Sequence, residues 1–429
     1  MDYFTKEADF ESAVITLLQN YGWERNVLKN YTEKDLIRNW ADILFENNRD
    51  IDRLNNIPLI DEEMDELIEK IRELKTPLAL NSFINGKTVS ITRKNPEDKL
   101  HFNKEVSLKI YDRNEIAAGQ SRYQIVQQPK FFRKDSVRQD RRGDLMLLIN
   151  GMPVFHIELK RSGVPVAEAA NQIKKYAYEG VFTGLFALVQ VFVAMNPDET
   201  LYFANPGPDG DFKPDFYFHW ADANNEPINY WKDVVERLLS IPMAHQLIGF
   251  YTVADGGDGV LKVMRSYQYY ASNKISDRVS RNGWKDNNQR GGYIWHTTGS
   301  GKTLTSFKTS TLLKDNPDIE KCLFVVDRKD LDRQTRIEFN KFQEGCVEEN
   351  TNTETLVKRL TSDDYKDKVI VTTIQKLGLA LDDDSKRNQE KRKRGELTFK
   401  ERLLKLQDKR IAIIFDECHR SQFGDNHEA

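Results

Sequence analysis

Cysteine is scarce: 429 residues contain three, Cys322, Cys346 and Cys418. They are too few and too scattered for a disulfide framework or a zinc cluster. No run of about 18 apolar residues appears, which excludes an evident membrane-spanning helix. The N-terminus, MDYFTKEADF, lacks the basic-then-apolar order of a secretory leader. Charge of one sign is missing too, since 64 Lys and Arg stand against 67 Asp and Glu for a formal net charge of -3. No global basic field announces a nucleic-acid partner, so any such contact must come from local patches. These absences point to a soluble cytoplasmic protein, and the length predicts two or three domains, each with its own core.

What is present centres on His296-Thr297-Thr298-Gly299-Ser300-Gly301-Lys302-Thr303. An aromatic and small-residue run, Gly291 to Trp295, is predicted to be a buried strand before it, and Leu304 to Leu313 a helix after it. This is the order of a phosphate-binding loop. Glycines let backbone N–H groups close around phosphate oxygens, and the helix N-terminus adds positive potential. Lys302 reaches the β- and γ-phosphates and Thr303 holds Mg²⁺, so ATP is the expected ligand. The full pattern begins with Gly, and here that position is His296.

Three amphipathic helices are predicted near the N-terminus, at Phe10 to Leu18, Leu36 to Phe45 and Glu62 to Leu74. Glu11 lies beside the apolar face of the first and, taken alone, reads as a surface carboxylate. A basic stretch holding Lys130, Arg133, Lys134, Arg138, Arg141 and Arg142 reads either as a solvated loop or as a contact to DNA phosphates. Leu145 to Ile149 and Pro153 to Lys160 are predicted strands joined at Asn150-Gly151, a hairpin dipeptide. Residues two apart on a strand share a face, so His156, Glu158 and Lys160 point one way. Asp144 opens the preceding strand, thirteen residues before Glu158.

Two carboxylates beside a lysine suit metal-assisted phosphodiester hydrolysis. Asp144 and Glu158 would hold Mg²⁺, which lowers the pKa of its bound water, while Lys160 orients that water or stabilises charge on the phosphate. A geometric condition follows. A strict two-residue turn would set Asp144 opposite Ile157, on the face away from Glu158. The spacing therefore predicts a three-residue loop or a β-bulge in this hairpin. Beyond it, Val166 to Glu179 is a predicted helix that puts Gln172 and Tyr176 on one face. The apolar run Leu185 to Met195 reads as a buried strand closing the sheet, followed by a short strand Leu201 to Ala204.

After the phosphate loop, Cys322 to Val326, Val369 to Thr373 and Ile411 to Phe415 read as strands of a parallel sheet. The last leads into Asp416-Glu417-Cys418-His419, at the strand end where such folds place ligands. There Asp416 binds Mg²⁺ and Glu417 positions the hydrolytic water. The charge run Ser385 to Arg394 reads as a solvated loop.

Gly-Asp144, Glu158-Leu-Lys160 and Gln172-x-x-x-Tyr176 resemble the PD-(D/E)XK nuclease core of the RecB-like branch, with Gly143 where the pattern's name has Pro. The resemblance implies catalytic roles for Gln172 and Tyr176 and makes Glu11 the helix carboxylate that joins the site in some members. The phosphate loop with Asp416-Glu417 resembles a superfamily-2 motor, in which a glutamine upstream of the loop reads adenine. Gln268 is similar to it, its plainer reading being a solvated helix residue. Asp327 to Leu331 and Thr372 to Gln375 resemble motor motifs that touch a nucleic-acid backbone.

Nuclease followed by motor, with FDECHRSQFG at the second box, resembles the restriction (R) subunit of type I restriction–modification enzymes. The fold implied is α/β, a RecB-like PD-(D/E)XK domain over 1–240 and an incomplete RecA-like P-loop lobe over 241–429. The activity implied is Mg²⁺-dependent cleavage of unmodified DNA coupled to ATP-driven translocation on double-stranded DNA. The partners implied are modification (methyltransferase) and specificity subunits. The chain ends at Ala429, before any second RecA-like lobe, so motor activity of this polypeptide alone is expected to fail. A DNA-repair nuclease-helicase and a non-catalytic binding module remain as alternatives.

Overall fold

A computed structural model of the chain describes residues 2–116, 119, 121–131, 141–207, 210–254, 260–281, 291–297, 300–314, 316–326 and 352–415. Its contacts divide the chain into two units, Met1–Tyr267 and Gln268–Ala429. The boundary expected near residue 240 thus falls inside the first unit. The backbone of Ile241 donates to Tyr21 O at 2.9 Å, and Tyr111 Oη donates to His245 O at 3.0 Å. Tyr202 Oη also donates to Met264 O at 3.1 Å. These bonds tie residues 241–267 to the first core.

The first unit is built on a six-stranded mixed sheet. In chain order its strands are β1 (Val27–Lys29), β2 (Tyr123–Gln127), β3 (Leu145–Ile149), β4 (Met152–Leu159), β5 (Val191–Met195) and β6 (Thr200–Ala204), and this is also their order across the sheet. β1 with β2 and β4 with β5 pair parallel, and the remaining neighbours pair antiparallel. All eight residues of β4 are buried, because helices cover the sheet. α1 (Glu7–Asn20) buries Phe10, Val14 and Leu18, α2 (Glu33–Asn47) buries Leu36 and Trp40, and α3 (Val166–Tyr178) packs on β4 and β5. Each fully buried Val, Leu, Ile or Phe contributes about 1.5–3 kcal/mol. The apolar half of β4 thereby offsets the cost of burying His156 and Glu158 among it.

The run read as one strand from Leu185 to Met195 is two elements. Gly184–Leu188 is a 3₁₀ turn and only Val191–Met195 is strand. Between them the Gln190 side chain is buried and donates to Leu188 O at 3.1 Å. A continuous apolar pattern does not distinguish a buried turn from a buried strand. Nor does β5 close the sheet, since β6 forms that edge.

The second unit carries a three-stranded parallel sheet of β7 (Lys321–Val326), β8 (Val369–Thr373) and β9 (Ile411–Phe415), with β7 in the middle. Alternation along β7 feeds two cores: Leu323 and Val325 join Leu356, Ile370 and Phe399 on one side, while Cys322 joins Leu313 and Ile319 on the other. Burial on both faces is the mark of a parallel α/β sheet. The described stretch of the run Ser385 to Arg394 is not a loop but a helix, Lys386–Lys393, capped by Ser385, whose hydroxyl accepts from Asn388 N–H. Asn388 is buried and binds Asp382 O and Phe399 N, which anchors an otherwise solvated helix. No helix among the described residues is long and apolar enough to cross a membrane.

Candidate active site

The hairpin β3–β4 has the irregularity its spacing requires. Ile149 pairs with Met152 and Leu148 with Pro153, but Leu147 pairs with Phe155, so Val154 is the extra residue of a β-bulge. From there Met146 faces His156 and Leu145 faces Ile157. One further step sets Asp144 opposite Glu158. The Leu159 N–H donates to Asp144 Oδ2 at 2.7 Å, fixing that carboxyl against the end of β4.

Asp144 and Glu158 lie close enough for their carboxyls to interact directly. Burial, followed by the charge of Glu158, pushes Asp144 up to about 8. Burial likewise pushes Glu158 up to about 8, against the opposing pull of Asp144 and Lys160. Without a cation, such a pair retains a proton near neutral pH. Glu158 Oε1 accepts from His156 Nε2 at 2.9 Å. Glu158 Oε2 is buried and has no hydrogen-bond partner among the described residues.

Lys160 completes the trio. Its Nζ donates to Leu159 O at 3.0 Å and to Gln172 Oε1 at 2.9 Å. Gln172 Nε2 donates in turn to Tyr176 Oη at 2.7 Å, and Tyr176 Oη donates to Arg142 O at 2.8 Å. The two residues that share a face of α3 therefore form a relay from the ammonium to the backbone just before Asp144. Burial holds the Tyr176 phenol protonated, as its donor role requires.

Glu11 is not a surface residue: it is buried on α1 and accepts from the side-chain amides of Gln127 and Gln128. Burial raises its pKa, and the nearby Asp144 carboxyl raises it further. One neighbour was missed by the sequence reading. Glu7 Oε1 stands 3.7 Å from Lys160 Nζ. The signal was there, since Glu7 and Glu11 are four apart and so share one helix face.

His156 sits in an aromatic cage, with ring centroids of Phe131 at 5.9 Å, Phe182 at 5.2 Å, Phe192 at 6.3 Å and Tyr176 at 6.2 Å. This packing also explains Gly143. A Cβ built there would lie 2.6 Å from His156 Cε1 and 3.1 Å from Phe131 Cε2. Gly143→Ala is accordingly expected to destabilise the first unit by about 1–3 kcal/mol, as overpacking does. A thermal melt unchanged by the substitution would contradict this packing.

The arrangement suits a hard divalent cation. Among the described residues no group of three or more His, Cys, Asp or Glu side chains is placed to hold a metal. Mg²⁺ needs none: it takes one or two carboxylates and fills its other positions with water and phosphate oxygens. Two adjacent carboxyls with raised pKa, one bearing an orphaned buried oxygen, fit that demand.

In the second unit, Lys302 opens the helix Lys302–Lys314 and Gly301 precedes it at φ 77°. Ser300 Oγ donates to Thr297 O at 2.7 Å, closing the turn. Gln268 is buried and its Nε2 lies 3.4 Å from Ser300 O and 3.3 Å from Gly301 O, so it touches the loop. Burial, then the Lys302 charge, lowers the pKa of His296. The expected strand over Gly291 to Trp295 is absent: these residues have no regular structure, and Tyr293 and Trp295 are 85% and 88% exposed. Two leading glycines favour no extended backbone, and this run pairs with no described strand.

Thr298, Gly299, Asp416 and Glu417, the Thr303 side chain and the Asp327 to Leu331 motif lie outside the described residues. Thr373 caps the helix Ile374–Leu381, its hydroxyl accepting from Lys376 N–H at 3.3 Å.

Comparison with known proteins agrees with this division. Residues 4–211 match the family described as type I restriction enzyme R protein N terminus, and residues 267–429 match the SWI2/SNF2 ATPase family. The chain is 36% identical over 99% of its length to the type I restriction enzyme SsaAORF53P endonuclease subunit of Staphylococcus saprophyticus. It is 35% identical over 99% of its length to the SauMSSORF170P endonuclease subunit of Staphylococcus aureus. In each case it spans 41% of the relative's length. Over 48% of its own length and 94% of the other protein's, it is also 40% identical to a Mycoplasma pneumoniae protein named as the C-terminal part of the type I restriction enzyme MpnIIP endonuclease. With a mixed α/β first unit that meets the R-protein family and a second that meets the SWI2/SNF2 ATPases, the chain belongs to the endonuclease subunits of type I restriction enzymes.

Proposed function

We propose that the first unit is a RecB-like PD-(D/E)XK nuclease domain that hydrolyses DNA phosphodiesters with Mg²⁺. The second unit is then the first RecA-like lobe of an ATP-driven motor that moves double-stranded DNA. The working enzyme assembles with modification and specificity subunits, the latter reading the target sequence, and cuts DNA that lacks the modification. The observation carrying this reading is the bulge that brings Asp144 and Glu158 to one place beside Lys160.

Asp144 and Glu158 would hold the metal, with Glu11 nearby. When bound, Mg²⁺ supplies a more acidic water and polarises the scissile phosphate. Lys160, held by Gln172 and Leu159 O, presents its ammonium to the phosphate and stabilises charge developing on the non-bridging oxygens. Gln172 and Tyr176 keep that ammonium in place. In the second unit, Thr297 to Thr303 would cradle the ATP phosphates, Thr303 and Asp416 would share its Mg²⁺, and Glu417 would position the attacking water. Gln268, already against the loop, would read the adenine.

The test is Mg²⁺-dependent cleavage of double-stranded DNA by the full chain. Lys160→Ala is expected to lower the rate on the order of 100-fold or more, the scale for losing one positioned charge. Cleavage at the parental rate by this variant would remove the nuclease assignment.

A further inference from the structure

The mechanism above leaves one buried polar side chain without a role. His156 is fully buried in the middle of β4, two residues before a candidate metal ligand and on the same face. Its four ring neighbours are aromatic, and its Nδ1 has no partner among the described residues. A polar ring placed there for packing alone would be inferior to phenylalanine, because an unmet buried nitrogen costs about 1–3 kcal/mol. Its single polar contact is Nε2 with Glu158 Oε1, at 2.9 Å. The carboxylate has only acceptors, so Nε2 carries the hydrogen and the ring is the Nε2–H tautomer.

The consequence lies in the other oxygen of Glu158. A free carboxylate rotates about its last torsion through a broad, two-fold well. With Oε1 fixed by the imidazole, Oε2 is fixed too, and Oε2 is the atom left without a partner among the described residues. The cage of rings prevents the imidazole from swinging away, and Gly143 leaves room for its Cε1 edge. We propose that His156 is a positioning residue: its Nε2–H holds Glu158 Oε1 and turns Oε2 toward the divalent cation. This inference rests on the metal-dependent nuclease reading and names the group that orients one of its ligands. Outer partners of this kind typically set metal affinity by 10–100-fold.

The experiment measures Mn²⁺ binding to the full chain by calorimetry, with Asp144→Asn as reference. His156→Phe fills the cage but donates nothing, whereas His156→Gln keeps an N–H at similar reach. The Phe variant is expected to melt near the parent and bind Mn²⁺ about 10–100-fold more weakly. Its cleavage should demand more Mn²⁺ yet approach the parental rate at saturation, and the Gln variant should recover most of the affinity. Parental Mn²⁺ affinity in His156→Phe overturns the inference and leaves the nuclease reading standing. Absence of any Mn²⁺ binding that Asp144→Asn removes overturns both. Should the Phe variant fail to fold, His156→Met replaces it in the comparison with His156→Gln. Equal affinity of those two again refutes the role.

Discussion

Asp144→Asn is expected to abolish Mg²⁺-dependent DNA cleavage and, in the same protein, to raise the melting temperature of the metal-free first unit. The two effects share one cause. In the unfolded chain this carboxyl titrates at 3.8, whereas burial and the Glu158 charge move it to about 8 in the fold. Between those values the unfolded chain binds fewer protons than the native one, so stability falls as pH rises from about 4 to about 8. An amide at 144 still accepts the Leu159 N–H but has no proton to lose, and that share of the pH dependence disappears. The gain should therefore be largest near pH 8 and vanish near pH 4, where the parent's own carboxyl is protonated in both states. Added Mg²⁺ should raise the melting temperature of the parent, since it binds the ionised pair of the native state only. It should leave the variant unmoved. A variant less stable than the parent at pH 8 would show that the carboxyl is not strained by burial.

Lys302→Ala is expected to eliminate measurable binding of a fluorescent ATP analogue. An ammonium placed at a helix start between two phosphates contributes charge-assisted bonds that no neighbour replaces. Gly301→Ala should weaken the same binding by a different route. At φ 77° an L-residue costs about 1–2 kcal/mol, and the new Cβ would meet Gln268 Nε2 at 2.5 Å. The amide end of Gln268 can move aside, so the backbone cost dominates and Gln268→Ala should rescue little. Because each unit has its own core, Lys302→Ala should keep the parental Mn²⁺ affinity, and Asp144→Asn should keep the parental affinity for the ATP analogue. Loss of both in either variant would mean that the substitution unfolded the chain.

Spacing carried the most information where chemistry and strand geometry constrain each other. Asp144 and Glu158 could serve one site only if the hairpin held an additional residue, and Val154 is that residue. The helix pair Gln172 and Tyr176 was legible for the same reason, as i and i+4 share a face. Packing was not legible. Nothing in the chain's pattern says that Gly143 makes room for an imidazole, or that Glu11 is drawn under two glutamine amides. Apolar runs misled twice, at Leu185 to Met195 and at Gly291 to Trp295, since hydrophobicity reports a tendency to be buried and not the element that achieves it. The helix inside the run Ser385 to Arg394 was hidden by its charge; a serine cap and one buried asparagine hold it.

The irregular pairing at Val154 makes this hairpin sensitive to parity. Deleting a single residue there, or adding one elsewhere between Asp144 and Glu158, would present the two acids to opposite sides of the sheet without losing either one. Changing the length by two would preserve their meeting. Natural variation in this loop should therefore arrive in even steps, and an odd step should leave a folded chain with an intact set of letters and no working centre.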